Sequence, residues 1–170
     1  MAKRAIGVKS IKMGAIAGDG DMGPSLVALG NTVKDTVVIT NDQGQTQDFF
    51  IEETDDPVES IVTEKGKFKA NWSTYDISAQ KLSDLFGGEY TAPAGGDGAM
   101  WEAPDTTPII EKSFEFETPS GIKIQIPRGK VQASLEWNLK KTALAQVNIE
   151  VSALAPNKVG VKALKVIEPA

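Results

Sequence analysis

Cysteine and histidine are both absent from the 170 residues. Without cysteine there are no disulfides and no thiolate chemistry, and a reducing compartment is compatible. Without histidine the commonest general base near neutral pH and the commonest zinc ligand are missing. Ser-His-Asp and Cys-His nucleophile systems therefore cannot be assembled, and only carboxylate or lysine chemistry is left for an enzyme. No run of eighteen apolar residues occurs, so no transmembrane helix is expected. The basic start Met1-Ala2-Lys3-Arg4 is followed by no long apolar stretch, so no secretory signal is expected either.

Positive charge is missing from one segment. Residues 41–62 hold Asp42, Asp48, Glu52, Glu53, Asp55, Asp56 and Glu59 and no Lys or Arg, a charge of −7 in a chain whose net charge is −5. Residues 119–165 show the opposite balance: Lys123, Arg128, Lys130, Lys140, Lys141, Lys158, Lys162 and Lys165 stand against Glu136 and Glu150. Such a split occurs on ordinary solvated faces. On opposite surfaces it would let copies attract head to tail, the contact that makes rings or open filaments.

With 41% hydrophobic and 24% charged residues, the chain has the composition of a soluble globular protein. Its length suggests one domain with an extension. We divide it into an N-terminal segment, residues 1–35, partly flexible, and a β domain, residues 36–170. The clearest pattern is alternation. Val131, Ala133, Leu135, Trp137 and Leu139 alternate with polar residues, and Ala143 to Val151 repeat the pattern, which predicts two antiparallel strands. Phe114 and Phe116, then Ile122, Ile124 and Ile126 across the turn Thr118-Pro119-Ser120-Gly121, predict a hairpin. Pro127-Arg128-Gly129 reads as punctuation before the next strand. Further strands are expected at Ile6–Ile11 with a bulge, at 37–40, at 48–52, at 68–74 and near 161–167.

One helix is expected, with Asp76 as N-cap, Ile77, Ala79, Leu82, Leu85 and Phe86 on one face, and Gly87-Gly88 as its stop. One short helix among seven or eight strands cannot build parallel crossovers. The expected fold is mainly β, an antiparallel β-barrel or sandwich with one flanking α-helix. Residues 87–108 hold five Gly and three Pro without periodicity and read as a long loop. Within it Met100 and Trp101 either tuck onto the core or anchor a neighbouring subunit.

Several motifs fail on inspection. Gly18-Asp19-Gly20-Asp21-Met22-Gly23 matches G-x-G-x-x-G, but two carboxylates would face a pyrophosphate and no strand–helix alternation follows. Read as a calcium loop, it has Gly23 and Gly30 where ligands are required. A flexible surface loop is the better account. Glu52, Glu53, Asp55 and Asp56 could hold a cation or serve a carboxylate-dependent hydrolase, but a run beside Pro57 reads as a solvated turn. Asn71-Trp72-Ser73 fits a glycosylation acceptor only by chance, without a secretory route. The scattered lysines form no aromatic-interleaved basic stripe. Trp72 and Trp137 sit on the apolar faces of their strands and are expected in the core.

The order of elements over residues 30–168 resembles a known family. The acidic strand and turn Phe49-Phe50-Ile51-Glu52-Glu53 with Pro57-Val58-Glu59-Ser60-Ile61 is followed by Trp72-Ser73-Thr74-Tyr75-Asp76-Ile77-Ser78-Ala79-Gln80-Lys81-Leu82 through Leu85-Phe86-Gly87-Gly88. Paired strands then close with Ser152-Ala153-Leu154-Ala155-Pro156. This resembles the major tail tube protein of long-tailed phages and prophages, whose fold also serves type VI secretion tubes. The resemblance implies a structural subunit, not an enzyme. Six copies would form rings through edge-to-edge strand contacts, and rings would stack into a tube that conducts DNA without binding it specifically. It implies no cofactor, no metal and no catalytic residue. The partners it implies are other copies and other tail proteins, without a membrane, and the location is the virion tail after the bacterial cytoplasm. Loops and N-terminal segments in the family commonly order on assembly, which would suit residues 14–35 and 87–108. On this resemblance Glu52, Glu53, Asp55 and Asp56 belong to an assembly or lumen segment, where an acidic wall would repel passing DNA. Met100 and Trp101 belong to an inter-subunit loop. The alternative function is a surface β-sandwich that binds carbohydrate or a receptor.

Overall fold

Alternating burial organises the chain. In the computed structural model, which describes residues 4–169, the elements are β1 (Ser10–Gly14), β2 (Val27–Leu29), β3 (Val38–Asn41), β4 (Gln45–Ile51), β5 (Thr54–Glu64) and β6 (Phe68–Thr74), then α1 (Ala79–Phe86). After the helix come β7 (Glu89–Thr91), β8 (Met100–Glu102), β9 (Ile110–Glu117), β10 (Lys123–Glu136), β11 (Gln146–Ala153) and β12 (Lys165–Ile167). The fold is mainly β, antiparallel and sandwich-like, with one helix, as the patterning implied.

The main sheet runs β2-β1-β9-β10-β11-β6-β3, with β12 added beside the first part of β10. In β11 every second residue, Val147, Ile149, Val151 and Ala153, is buried. In β6 the buried set is Ala70, Trp72 and Thr74. Period-2 burial of this kind sends one face of each strand into a shared interior. The sheet curls, because Trp72 on β6 meets Phe114 and Phe116 on β9 although two strands lie between β6 and β9. One stretch also touches both halves of the curl. Residues 27–29 pair with β1, and a few residues on Thr32 bridges to Thr74 at the end of β6. The N-terminal segment thus contributes β1 and β2 to the same sheet as the rest.

The bend in β10 has a local cause. Pro127-Arg128-Gly129 does not separate two strands, as its sequence suggested. It forms a bulge inside one 14-residue strand, where the register with β9 shifts between Ile126 and Gly129. A Cβ on Gly129 would lie 2.5 Å from Val151 Cγ1 and 3.0 Å from Phe114 Cδ2, so the strand can approach its neighbours only with glycine there. Ser113, fully buried, donates its hydroxyl to the Pro127 carbonyl at 2.6 Å and accepts from the Gly23 N–H at 2.9 Å. The bulge is therefore tied both to β9 and to the loop at 17–23.

The helix starts later than expected. Its N-cap is Ser78, not Asp76, and Asp76 instead accepts the Ser78 N–H at 3.0 Å ahead of the helix. Gly87 ends it with φ of 76°, a conformation that costs a side-chain-bearing residue energy and glycine none. Leu82 and Leu85 are buried in the core.

Other expectations fail for identifiable reasons. Trp137 is 56% exposed and Leu139 86% exposed, because β10 ends at Glu136 and the alternation beyond it has no sheet to bury against. Ile6 and Val8 are exposed and precede the first strand, which begins at Ser10. Residues 87–108 are not without structure: β7 and β8 pair as a short hairpin.

Candidate assembly surface

β4 and β5 leave the body as a two-stranded arm. They pair only with each other, and every residue of both strands is exposed. Phe49-Phe50-Ile51 lies in a strand as its pattern implies, but the acidic run 52–56, expected as a solvated turn beside Pro57, passes from a two-residue turn into an 11-residue strand, Thr54–Glu64. Pro57 falls where the β4–β5 register shifts, between Phe49 opposite Glu59 and Ile51 opposite Thr54, so its missing N–H breaks no regular rung of the ladder. The missed signal was the β-branched run Val58, Ile61, Val62 and Thr63.

The arm carries apolar side chains on both faces. Cross-strand pairing places Phe49 opposite Glu59 and Gln47 opposite Ile61 on one face, and Thr46 opposite Val62 and Asp48 opposite Ser60 on the other. Val58 shares the face of Ser60 and Val62 by alternation. A two-stranded ribbon alone in water is marginally stable at best. Phe50 at 62% and Val62 at 70% exposure gain nothing from their own chain.

Charge accentuates the contrast. Glu52 and Glu53 form the turn at the tip, with Asp55 and Asp56 beside them, and Asp48 and Glu59 lie along the strands. None of these six carboxylates has a cation within ion-pair distance among the described residues. In the body the situation is reversed. Asp84 pairs with Lys112, Glu111 with Arg128, Glu115 with Lys12, and Glu117 with Lys9. Arg128 grips Glu111 with Nε at 2.7 Å and Nη2 at 2.9 Å, which pulls the Glu111 carboxyl below its ordinary range. The Lys9 hydrogen bond does the same for Glu117.

The Gly18–Gly23 motif is likewise a structural fastener. Lys158 Nζ lies 2.8 Å from Asp19 Oδ2 and 2.8 Å from Asp21 Oδ2. Its hydrogen bonds lower both carboxyl pKa values and raise that of the lysine. The loop expected to be flexible is thus clasped to the turn after β11.

The expected inter-subunit loop divides. Trp101 tilts against Phe86, 5.9 Å between ring centroids, and donates its indole N–H to the Gly87 carbonyl at 2.8 Å. Met100 is exposed. The carboxylates at 52–56 and the pair Met100 and Trp101 belong to separate two-stranded sheets. No group of three or more carboxylates close enough to hold a metal ion occurs among the described residues. No helix there is long and apolar enough to cross a membrane. Comparison of the sequence with protein-family models gives no match, and comparison with curated proteins gives none.

Proposed function

We propose that this chain is a structural subunit of a phage or prophage tail tube, assembling into hexameric rings that stack around a DNA-conducting channel, and that it performs no catalysis. The reading rests most on the arm. A ribbon that exposes Phe49, Phe50, Val58, Ile61 and Val62, carries seven carboxylates without an ion pair and has no strand partner beyond its own hairpin among the described residues is a surface made to be covered by protein. The curled antiparallel sheet with one flanking helix and the order of elements in the sequence add support. On this reading Glu52, Glu53, Asp55 and Asp56 serve assembly or face the lumen, and DNA passes without being held. The partners are other copies and other tail proteins, and the protein moves from the bacterial cytoplasm to the virion tail. Negative-stain microscopy of the purified protein, with sedimentation over a wide concentration range, tests this. Rings or tubes are expected; monomers at every concentration, even with tail initiation partners added, would overturn it.

One observation favours a second reading, a surface module that binds carbohydrate or a receptor. Exposed Trp137 follows Glu136, whose carboxylate accepts from Asn138 Nδ2 at 2.7 Å and Gln146 Nε2 at 3.2 Å. An open indole beside hydrogen-bonding groups suits stacking on a sugar ring. Specific hits on a glycan array, lost in Trp137→Ala, would establish it over the first.

A further inference from the structure

The main sheet has a gap that an added strand would fill. β9 pairs with β10 only as far as Ile110 opposite Val131. Before that residue the chain at Thr107–Ile109 diverges, while β10 continues to Glu136 with β11 along its other side. On the side vacated by β9, residues 132–136 have no strand partner among the described residues. The gap is a groove of about 300 Å³, floored by Leu85, Phe86, Val131 and Ala133, with Ile109 standing 76% exposed at its lip. Lys130 is the one charged residue of its lining and forms no ion pair within 4.0 Å among the described residues. Glu111 lies opposite it on β9 but is held by Arg128.

We infer that this groove receives the arm of a second copy, with β5 pairing along the free edge of β10 in line with β9. Three features of the groove match three features of the arm. An unpaired strand edge meets β5, whose outer edge has no partner among the described residues and whose residues 59–62 run in regular register with β4. An apolar floor meets the stripe Val58 and Val62. A lone cation meets a segment that bears Asp48, Glu52, Glu53, Asp55, Asp56, Glu59 and Glu64 and no cation from 45 to 64. The donor is another copy: every residue of β4 and β5 is exposed, so the arm, whose seven-residue β4 is about 23 Å long at about 3.3 Å per residue, lies against no part of its own body. Because arm and groove are different surfaces, each copy gives one arm and takes one, a heterologous contact that propagates until a ring closes or a filament grows.

The inference rests on the assembly reading above, and complementary variants separate the two. An arm variant carries Phe50→Ser, Val58→Ser and Val62→Ser, all at exposed positions. A groove variant carries Ile109→Asp and Lys130→Glu. Each alone is expected to lose all assembled species in sedimentation while keeping the wild-type circular dichroism. Mixed one to one, they are expected to form a dimer and stop there, since the groove variant still offers an intact arm and the arm variant an intact groove. Wild-type-like rings from either variant alone, or no dimer in the mixture, would overturn the inference and leave the assembly reading standing. A wild-type protein that is monomeric throughout would remove both. Should the groove variant lose its fold, Lys130→Glu alone, at a half-buried and unpaired site, replaces it, with weakened assembly restored by Glu59→Lys as the expected result and unchanged assembly as the refutation.

Discussion

Trp72 meets Phe116 edge-on, with ring centroids 5.3 Å apart and planes at 85°, across the interior of a sheet in which their strands are not neighbours. That contact, with Phe114 at 5.7 Å on the same indole, is where the two sides of the curl are held together. The Trp72 indole N–H is buried there without a hydrogen-bond partner, an unfavourable feature that the packing outweighs.

Truncating this contact should be severe. Trp72→Ala or Phe116→Ala is expected to cost about 3–5 kcal/mol, the range for deleting a buried aromatic. Urea unfolding followed by fluorescence of the remaining tryptophans checks it for Trp72→Ala. A loss under about 1 kcal/mol would mean that the sides of the sheet are held together elsewhere.

Gly129→Ala should destabilise by overpacking, not by backbone strain. The new methyl would stand 2.5 Å from Val151 Cγ1, and forcing such a group into a packed core costs about 1–3 kcal/mol. Thermal unfolding of Gly129→Ala beside the double variant Gly129→Ala, Val151→Ala checks the cause. The second change should recover part of the loss.

The clasp of Lys158 on Asp19 and Asp21 predicts a pH window. Both carboxyl groups have pKa values below their ordinary 3.8 in the folded protein, so their contribution is complete above about pH 4 and lost as pH falls through the lowered values. Lys158 is shifted the other way, so its contribution is present below its ordinary 10.5 and lost only as pH rises through the raised value. Protection of the Gly20 amide, which donates to the Ala17 carbonyl, taken relative to its intrinsic exchange rate at each pH, should fall in acid below the carboxyl range and be high at neutral pH. Lys158→Met should show the low protection throughout. All three groups are solvent-accessible, so global stability should change little.

Arg128→Lys tests geometry at constant charge. Arginine binds both oxygens of Glu111 and also reaches the Ala155 carbonyl at 3.1 Å and Asn157 Oδ1 at 2.9 Å. Lysine cannot reproduce that fork. The melting temperature should fall, and protection at the Leu154 amide, which donates to the Arg128 carbonyl, should fall with it.

Reversing Glu52, Glu53, Asp55 and Asp56 to Lys should leave unfolding unchanged and impair polymerisation or passage of DNA. The four residues contribute no packing to the core, so the circular dichroism and melting curve are the controls. Unimpaired tubes that deliver DNA normally would remove the acidic tip from the assembly mechanism.

Local pattern alone specifies the strands whose alternation is strong, β6, β9, β11 and the buried half of β10, because a period of two with bulky apolar residues has one stable solution in water. It also determined the helix, through the spacing of Leu82 and Leu85 and the glycine at its end. It showed that residues 41–62 lack positive charge, but not that the segment stands away from the body. That residues 127–129 form a bulge and not a break emerges only on folding, since it depends on how closely Val151 and Phe114 approach. Tertiary structure alone decided that Trp137 is exposed and Trp72 buried, although both alternate in the same way, because burial depends on whether a facing sheet exists at that height. The clasp of Asp19 and Asp21 on Lys158 joins residues 137 or more apart in the chain. Local pattern carries no information about contacts at that separation; they exist only once the sheet has curled.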